Sequence, residues 1–249
     1  MAGTALPRRL TWHTVKVLET LEETPRVRTL VLDCQDWPGH LAGQHVDVRL
    51  TAEDGYQAER SYSLASAPED HRLALTVERL EEGEVSRYLV DELRPGDELE
   101  LRGPIGGYFV WQAAMGGPLL LLAGGSGIVP FRSMLRHRLA AHSLVPIRLL
   151  YSARSLAHVI YKEELARAAA EPGVMVHLTL TREWPNEWQG YRRRVDMELL
   201  REISWPPAER PQVYVCGPTN FVEAASSALV QLGHEPSLIR TERFGPTGK

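Results

Sequence analysis

From Trp12 to about Val110 the chain alternates short apolar and β-branched runs with turn residues: "HTVKVLE", "RVRTLVLD", "QHVDVRL", "RSYSLA", "RLALTVER" and "DELELRG". Strands at this spacing predict a small antiparallel barrel of six strands. One segment breaks the rhythm. "GEVSRYLVDEL" places Val85, Tyr88, Leu89 and Leu93 at helical spacing and predicts a helix sealing one barrel end. After Gly116 the pattern changes to continuous apolar runs, "PLLLLAGG", "PIRLLYS", "VMVHLTL" and "QVYVCG", each next to an amphipathic segment. Such runs predict strands buried on both faces, in a parallel sheet wrapped by helices. The fold class expected is therefore two domains, an all-β antiparallel barrel over residues 1–113 and an α/β parallel-sheet domain over 114–249, with the change near "WQAAMGGP".

Composition narrows the function classes. The 249 residues are 43% hydrophobic with a formal charge of −4 and no basic arm, so neither nucleic acid nor an anionic membrane surface is expected as partner. The stretch "MAGTALPRRL" lacks the apolar core of a signal peptide. The longest apolar run, Leu119 to Ala123, is far shorter than the roughly 18 residues a membrane span needs. A cytoplasmic monomer is expected. Cys34 and Cys216 are the only cysteines, too few for a four-cysteine metal or iron–sulfur site, and their thiols are expected to be reduced.

Candidate chemistry gathers at strand ends. "AGGSGIVPF" follows the first run of the second half, where an open parallel sheet binds its ligand. Gly124, Gly125 and Gly127 would let the backbone approach a pyrophosphate, with Ser126 between them, and Pro130 suits the first turn of a helix. The next run ends "YSARS", with Ser152 and Arg154 in place of the acidic residue that would take a ribose 2′-hydroxyl. A hydroxyl and a guanidinium suit a 2′-phosphate, which points to NADPH over NADH; the alternative is an ordinary surface ion pair at Arg154. Arg182 in "TLTRE" and Cys216 with Gly217 in "VYVCGP" fall at the ends of the next two runs. In the first half, "ERSYSLAS" puts Arg60 and Tyr62 on one strand face and Ser63 on the other, and "EEGEVSRYL" places Gly83 and Ser86 at a helix start.

Taken in order, "RSYS", "GEVS", "GPIGGYF", "GGSGIVPF", "VCGP" and the C-terminal "ERF" resemble the motif series of the ferredoxin–NADP⁺ reductase superfamily, over nearly the whole chain. The resemblance implies an FAD-binding barrel, a pyridine-nucleotide domain and a flavin ring in the crevice between them. Carried over by position, Arg60 would bind the flavin pyrophosphate, Tyr62 would stack on the ring and Ser63 would lie near flavin N5. Thr76, Val77 and Arg79 would line the flavin, and Gly83, Val85 and Ser86 would hold its pyrophosphate. Gly125, Ser126, Gly127 and Pro130 would face the nicotinamide nucleotide, with Arg154, Arg182 and Arg194 (or Arg193, one position earlier) at the 2′-phosphate. Cys216 would sit beside the nicotinamide, Glu242 and Phe244 would close the other flavin face, and Phe244 would act as a gate. Ser63, Cys216 and Glu242 are thus the expected catalytic groups.

The implied activity is an FAD-dependent NAD(P)H oxidoreductase, with NADPH favoured and NADH as the alternative. It would pass single electrons to a separate ferredoxin, flavodoxin or oxygenase component. The chain departs from fused members of the superfamily in carrying no C-x₄-C-x₂-C segment. Two other readings stand beside it: a reductase of free flavin or another small acceptor, and a non-catalytic nucleotide-binding module.

Overall fold

A computed structural model describes residues 10–244; "GPTGK" after Phe244 and most of "MAGTALPRRL" lie outside them. The first half forms six strands, β1 (Trp12–Thr24), β2 (Val27–Asp33), β3 (His45–Thr51), β4 (Gln57–Ser63), β5 (Leu73–Glu78) and β6 (Glu98–Ile105). Their sheet order is β4-β3-β6-β1-β2-β5, with antiparallel neighbours throughout. β4 starts three residues earlier than "RSYSLA", because Ala58 joins the barrel core and Gln57 pairs with Thr51. Leu64 and Ala65 leave that hairpin instead. Leu64 bridges to Leu75, and the Ala65 N–H donates to the Ala74 carbonyl at 2.8 Å, which closes the barrel across its open edge.

Alternation sends Val15, Val17, Leu30, Leu32, Val46, Val48, Leu75 and Val77 inward. The helix expected at the barrel end is present as α1 (Glu84–Arg87) running into a wider turn, Tyr88–Glu92. The Leu93 N–H reaches back to the Tyr88 carbonyl at 3.0 Å, a five-residue step. That extra residue rotates the face: Val90 is buried with Val85, Leu89 and Leu93, while Tyr88 is exposed, contrary to the expectation from spacing.

The second half is a parallel sheet of β7 (Leu119–Gly124), β8 (Ile147–Ala153), β9 (Val174–Leu180), β10 (Gln212–Pro218) and β11 (Ile239–Phe244), in the order β11-β10-β7-β8-β9. β11 was not among the runs read as strands, since "IRTERF" is an edge strand and carries charges. Helices α2 (Val129–Ala140) and α3 (Lys162–Ala169) alternate with the first strands, and α4 (Met197–Ile203) and α5 (Thr219–Gln231) with the last. Leu120, Leu122, Leu150, Val213 and Val215 face α4 and α5. The chain runs outward from β7 to β9 and then returns to β10 on the other side, so the topological switch lies between β7 and β10.

The two halves share one apolar core. Leu119, Leu121, Tyr151 and Tyr214 of the sheet pack with Phe131 and Met134 of α2, with Phe109 and Trp111 of the connecting segment, and with Val27, Ala42, Ala65 and Ala74 of the barrel. Trp111 is fully buried and pairs with Ala42. Polar contacts cross the same seam. The Ser133 hydroxyl donates to the Ser66 carbonyl at 2.7 Å, Arg136 pairs with Asp70 at 2.8 Å, and the Tyr161 hydroxyl donates to Thr76.

Candidate functional site

The switch between β7 and β10 is where strand ends diverge and a ligand has room. Gly125 sits there with φ of +55°, a left-handed conformation that glycine adopts without cost. A Cβ at Gly127 would run into the Cys216 carbonyl, and one at Gly217 would lie 3.0 Å from the Gly124 carbonyl. The two strand ends therefore pack backbone on backbone, which explains glycines at 127 and 217. Pro130 falls in the first turn of α2, as its motif led one to expect, and Ser126 is half-buried in the turn before it. Glu78, at the end of β5, faces this turn from the barrel: its Oε2 is 4.0 Å from where a Gly125 Cβ would be.

Parallel register sets Cys216 of β10 against Glu242 of β11. The Cys216 thiol donates to Glu242 Oε2 at 3.8 Å, and Glu242 Oε1 lies 3.9 Å from His45 Nδ1 on the barrel. His45 is in turn the cross-strand partner of Ser63 in the β3–β4 hairpin. His45 therefore links Ser63 to Glu242 and Cys216 across the seam, a role that sequence reasoning missed. The only signal was its position at the start of "HVDVRL", and its pairing with Ser63 is visible only once the hairpin register is known.

The electrostatics of this group run one way. Burial pushes the Cys216 thiol well above its usual range and raises Glu242 to about 7, with the thiol hydrogen bond opposing the latter. Burial pushes the His45 imidazole down, partly offset by Asp47. Each shift favours the uncharged form, so the seam is suited to flat, neutral rings and to proton exchange at Glu242 rather than to phosphate. The Ser63 hydroxyl is only 4% exposed and has no hydrogen-bond partner. An orphaned buried hydroxyl costs about 1–3 kcal/mol, and a ligand polar atom would satisfy it.

On β4, Arg60 is exposed beside the half-buried Tyr62, whose phenol is pushed upward by burial. Gly83 precedes α1, and a Cβ there would collide with the Ser86 hydroxyl. That hydroxyl donates to the Gly83 carbonyl at 3.2 Å and accepts from the Leu80 N–H at 3.2 Å, while Val85 anchors the turn in the barrel core. Phe244 is half-buried at the end of β11, opposite Pro218, and packs against the shared core.

Three residues expected at the flavin have their side chains committed elsewhere. Val77 fills the barrel core, Thr76 bonds to Thr29 at 2.8 Å and to Tyr161, and Arg79 pairs with Asp91 at 2.7 Å. For Val77 and Thr76, alternation along β5 is the reason: odd positions of the strand enter the barrel and even positions meet the second domain, while Arg79 lies just past its end. Any lining role of Thr76 and Val77 falls to their backbone.

At the far side of the sheet, the Arg182 and Glu183 N–H groups donate to the Arg154 carbonyl at 3.0 and 3.1 Å, tying the ends of β8 and β9 together. Ser152 is half-buried on β8, in register with Gly124 and Thr179. Arg154, Arg182 and Arg194 are exposed and, among the described residues, their guanidiniums make no ion pair or hydrogen bond. Arg193 is different. It pairs with Asp196 at 2.5 Å and Glu198 at 2.7 Å, which leaves Arg194 as the uncommitted member of that neighbouring pair.

Two family models match the chain, an oxidoreductase FAD-binding domain over residues 15–110 and an oxidoreductase NAD-binding domain over 121–227. Ferredoxin–NADP reductase B of Sorangium cellulosum is 35% identical over 230 residues, covering 89% of this chain and 93% of that protein. The glycine betaine monooxygenase reductase subunit of Pseudomonas aeruginosa is 33% identical over 241 residues; the match covers 94% of this chain but 65% of the relative's length. The FAD/NAD-binding domain of nitric oxide dioxygenase from Vibrio cholerae superposes with a TM-score of 0.83 at 26% identity, covering 94% of this chain and 99% of that domain.

Proposed function

The chain belongs to the ferredoxin–NADP⁺ reductase superfamily, and from that membership we propose that it is an FAD-dependent NAD(P)H oxidoreductase delivering single electrons to a separate acceptor protein. The observation that carries this reading is the seam itself, where Ser63 and His45 of the barrel meet Glu242 and Cys216 of the sheet beside the glycine turn. Residues 1–113 would hold the FAD and 114–249 the dinucleotide.

The residues fit both groups. The orphaned Ser63 hydroxyl offers a hydrogen bond to a flavin ring atom, and Tyr62 and Phe244 offer aromatic faces. Arg60 and the Gly83–Ser86 turn would take the FAD pyrophosphate, with Gly83 letting the Ser86 hydroxyl pack against the start of the helix. When bound, the flavin supplies the conversion of a two-electron hydride into single-electron steps. The chain's own work is alignment and exclusion of water. The Gly125–Ser126 turn would bring backbone to the dinucleotide, Gly127 seats that turn against the Cys216 carbonyl, the buried Cys216 thiol would keep the strand end neutral, and Glu242 would hold or release a proton at its Oε1, near His45. Phe244 would be the gate, moving aside if it occupies the place where a nicotinamide ring stacks.

NADPH is the preferred donor in this reading, because Arg154 and Arg182, whose backbones are tied at the β8–β9 end, and Arg194 further along the same loop are free of carboxylate partners among the described residues. The acceptor in this reading is a ferredoxin, a flavodoxin or an oxygenase component; of these, the relatives' names include a ferredoxin and a monooxygenase. A cytoplasmic setting fits two free thiols, one buried, and no helix among the described residues is long and apolar enough to cross a membrane. The test is anaerobic mixing of the purified protein with NADPH. Bound FAD whose oxidised absorbance bleaches is expected. A colourless protein that reduces only added flavin would replace this reading with that of a free-flavin reductase, and no flavin reduction by NADPH or NADH would end it.

A further inference from the structure

The loop from Arg182 to Arg194 is rich in Trp, Pro and Gly, and its internal bonds decide which of its aromatic rings is available. Trp188 is half-buried: its Nε1 donates to the Tyr191 carbonyl at 3.1 Å and its N–H to the Pro185 carbonyl at 3.0 Å. A Cβ at Gly190 would overlap the Trp188 ring, so the loop is wrapped tightly around that indole. Tyr191 bridges to Thr179 and its hydroxyl donates to Glu202 at 2.6 Å. Trp184 is left over. It is 42% exposed, its indole makes no hydrogen bond among the described residues, and the Arg192 guanidinium lies 6.0 Å from its ring centre. Arg192 is itself pinned, with Nη2 donating to the Trp188 carbonyl at 2.6 Å.

An exposed indole two residues beyond Arg182 is a stacking surface, and the sheet order says for what. Neutral groups for a nicotinamide stand at β10 and β11, the glycine turn for a pyrophosphate stands at β7, and uncommitted guanidiniums stand at β8 and β9. A dinucleotide lying in that order carries its second base outward over β9, about 10 Å from β7 at roughly 4.8 Å per strand. That base is adenine, a flat π system next to a ribose whose 2′-phosphate would meet Arg154 and Arg182.

We propose that Trp184 is the platform on which the adenine of the dinucleotide stacks. The assignment rests on the reading of the second domain as an NAD(P)H site. It explains why the loop spends Trp188, Gly190 and Tyr191 on its own rigidity and leaves one indole outside.

Calorimetric titration of the flavin-loaded protein with 2′,5′-ADP tests it without turnover. Removing a base-stacking ring costs about tenfold in affinity, so Trp184→Ala is expected to raise the Kd by about that factor. Trp184→Phe is expected to stay within about threefold of the parent, because a ring face remains. An Ala variant binding within about twofold of the parent, or a Phe variant as weak as the Ala variant, would overturn the platform and leave the nucleotide site in place. A parent protein that binds no 2′,5′-ADP at millimolar concentration would overturn the nucleotide reading, and the platform with it.

Discussion

Glu242 offers a prediction whose size follows from the structure. Its side chain is 21% exposed and faces a thiol and an imidazole, and burial raises it from 4.5 to about 7. The native pKa is above the unfolded one, so the sign is fixed. Below pH 4.5 both states hold the proton and the carboxyl contributes its full share to stability. As pH rises toward 7 the unfolded chain releases its proton first, and native stability falls until the folded group also titrates. At about 1.4 kcal/mol per pH unit the total loss is at most about 3.5 kcal/mol, of which about 2.5 falls between pH 5 and pH 8. Glu242→Gln keeps the shape and removes the titration. Any hydrogen-bond loss to Cys216 offsets the variant equally at both pH values, so the informative quantity is the change in the difference. Thermal unfolding of both proteins, stripped of flavin so that ligand binding does not enter the linkage, is expected to shift the variant relative to the parent by about 5–10 °C in its favour from pH 5 to pH 8. A difference that stays constant within about 1 °C would refute a carboxyl held neutral in the seam.

Two other substitutions test the dinucleotide side. Arg154→Ala should raise the KM for NADPH by about tenfold or more and leave that for NADH nearly unchanged; steady-state kinetics showing equal losses would refute the 2′-phosphate contact. Gly127→Ala places a methyl against the Cys216 carbonyl, where backbone must move, so a loss of at least about 2 kcal/mol is expected. Urea unfolding with an unchanged midpoint would show that β7 and β10 do not meet as tightly as described.

The barrel and the three central strands of the second domain, β7, β8 and β10, were legible because their signal is local; β9, expected to be buried on both faces, is instead the second edge strand and leaves Met175 exposed. Period-two alternation and unbroken apolar runs depend only on which faces are buried, and that is set within each strand. Where legibility failed, the cause was context. β11 is an edge strand whose "IRTERF" needs only one partner and tolerates charge. Tyr88 left the core because a five-residue hydrogen bond turned the helix, which spacing at 3.6 residues per turn does not foresee. The bond of Thr76 to Tyr161 depends on a second domain lying against β5, a fact that no pattern within β5 contains.

The site divides along the same line. Gly125 and Pro130 could be read as a turn because a left-handed glycine and a helix-opening proline are demands of the local backbone, whereas the need for glycine at 127 comes from the Cys216 carbonyl of another strand. His45 could not, since its meaning comes from two pairings, one across a hairpin to Ser63 and one across the domain seam to Glu242. Arg193 and Arg194 are neighbours of the same type, and only the placement of Asp196 and Glu198 separates the ion-paired guanidinium from the free one. A free charge is a property of its surroundings. Features set by local backbone geometry are thus found from sequence, whereas the unpaired state of Ser63, Arg194 and Trp184 becomes visible only when every neighbour's partner is known.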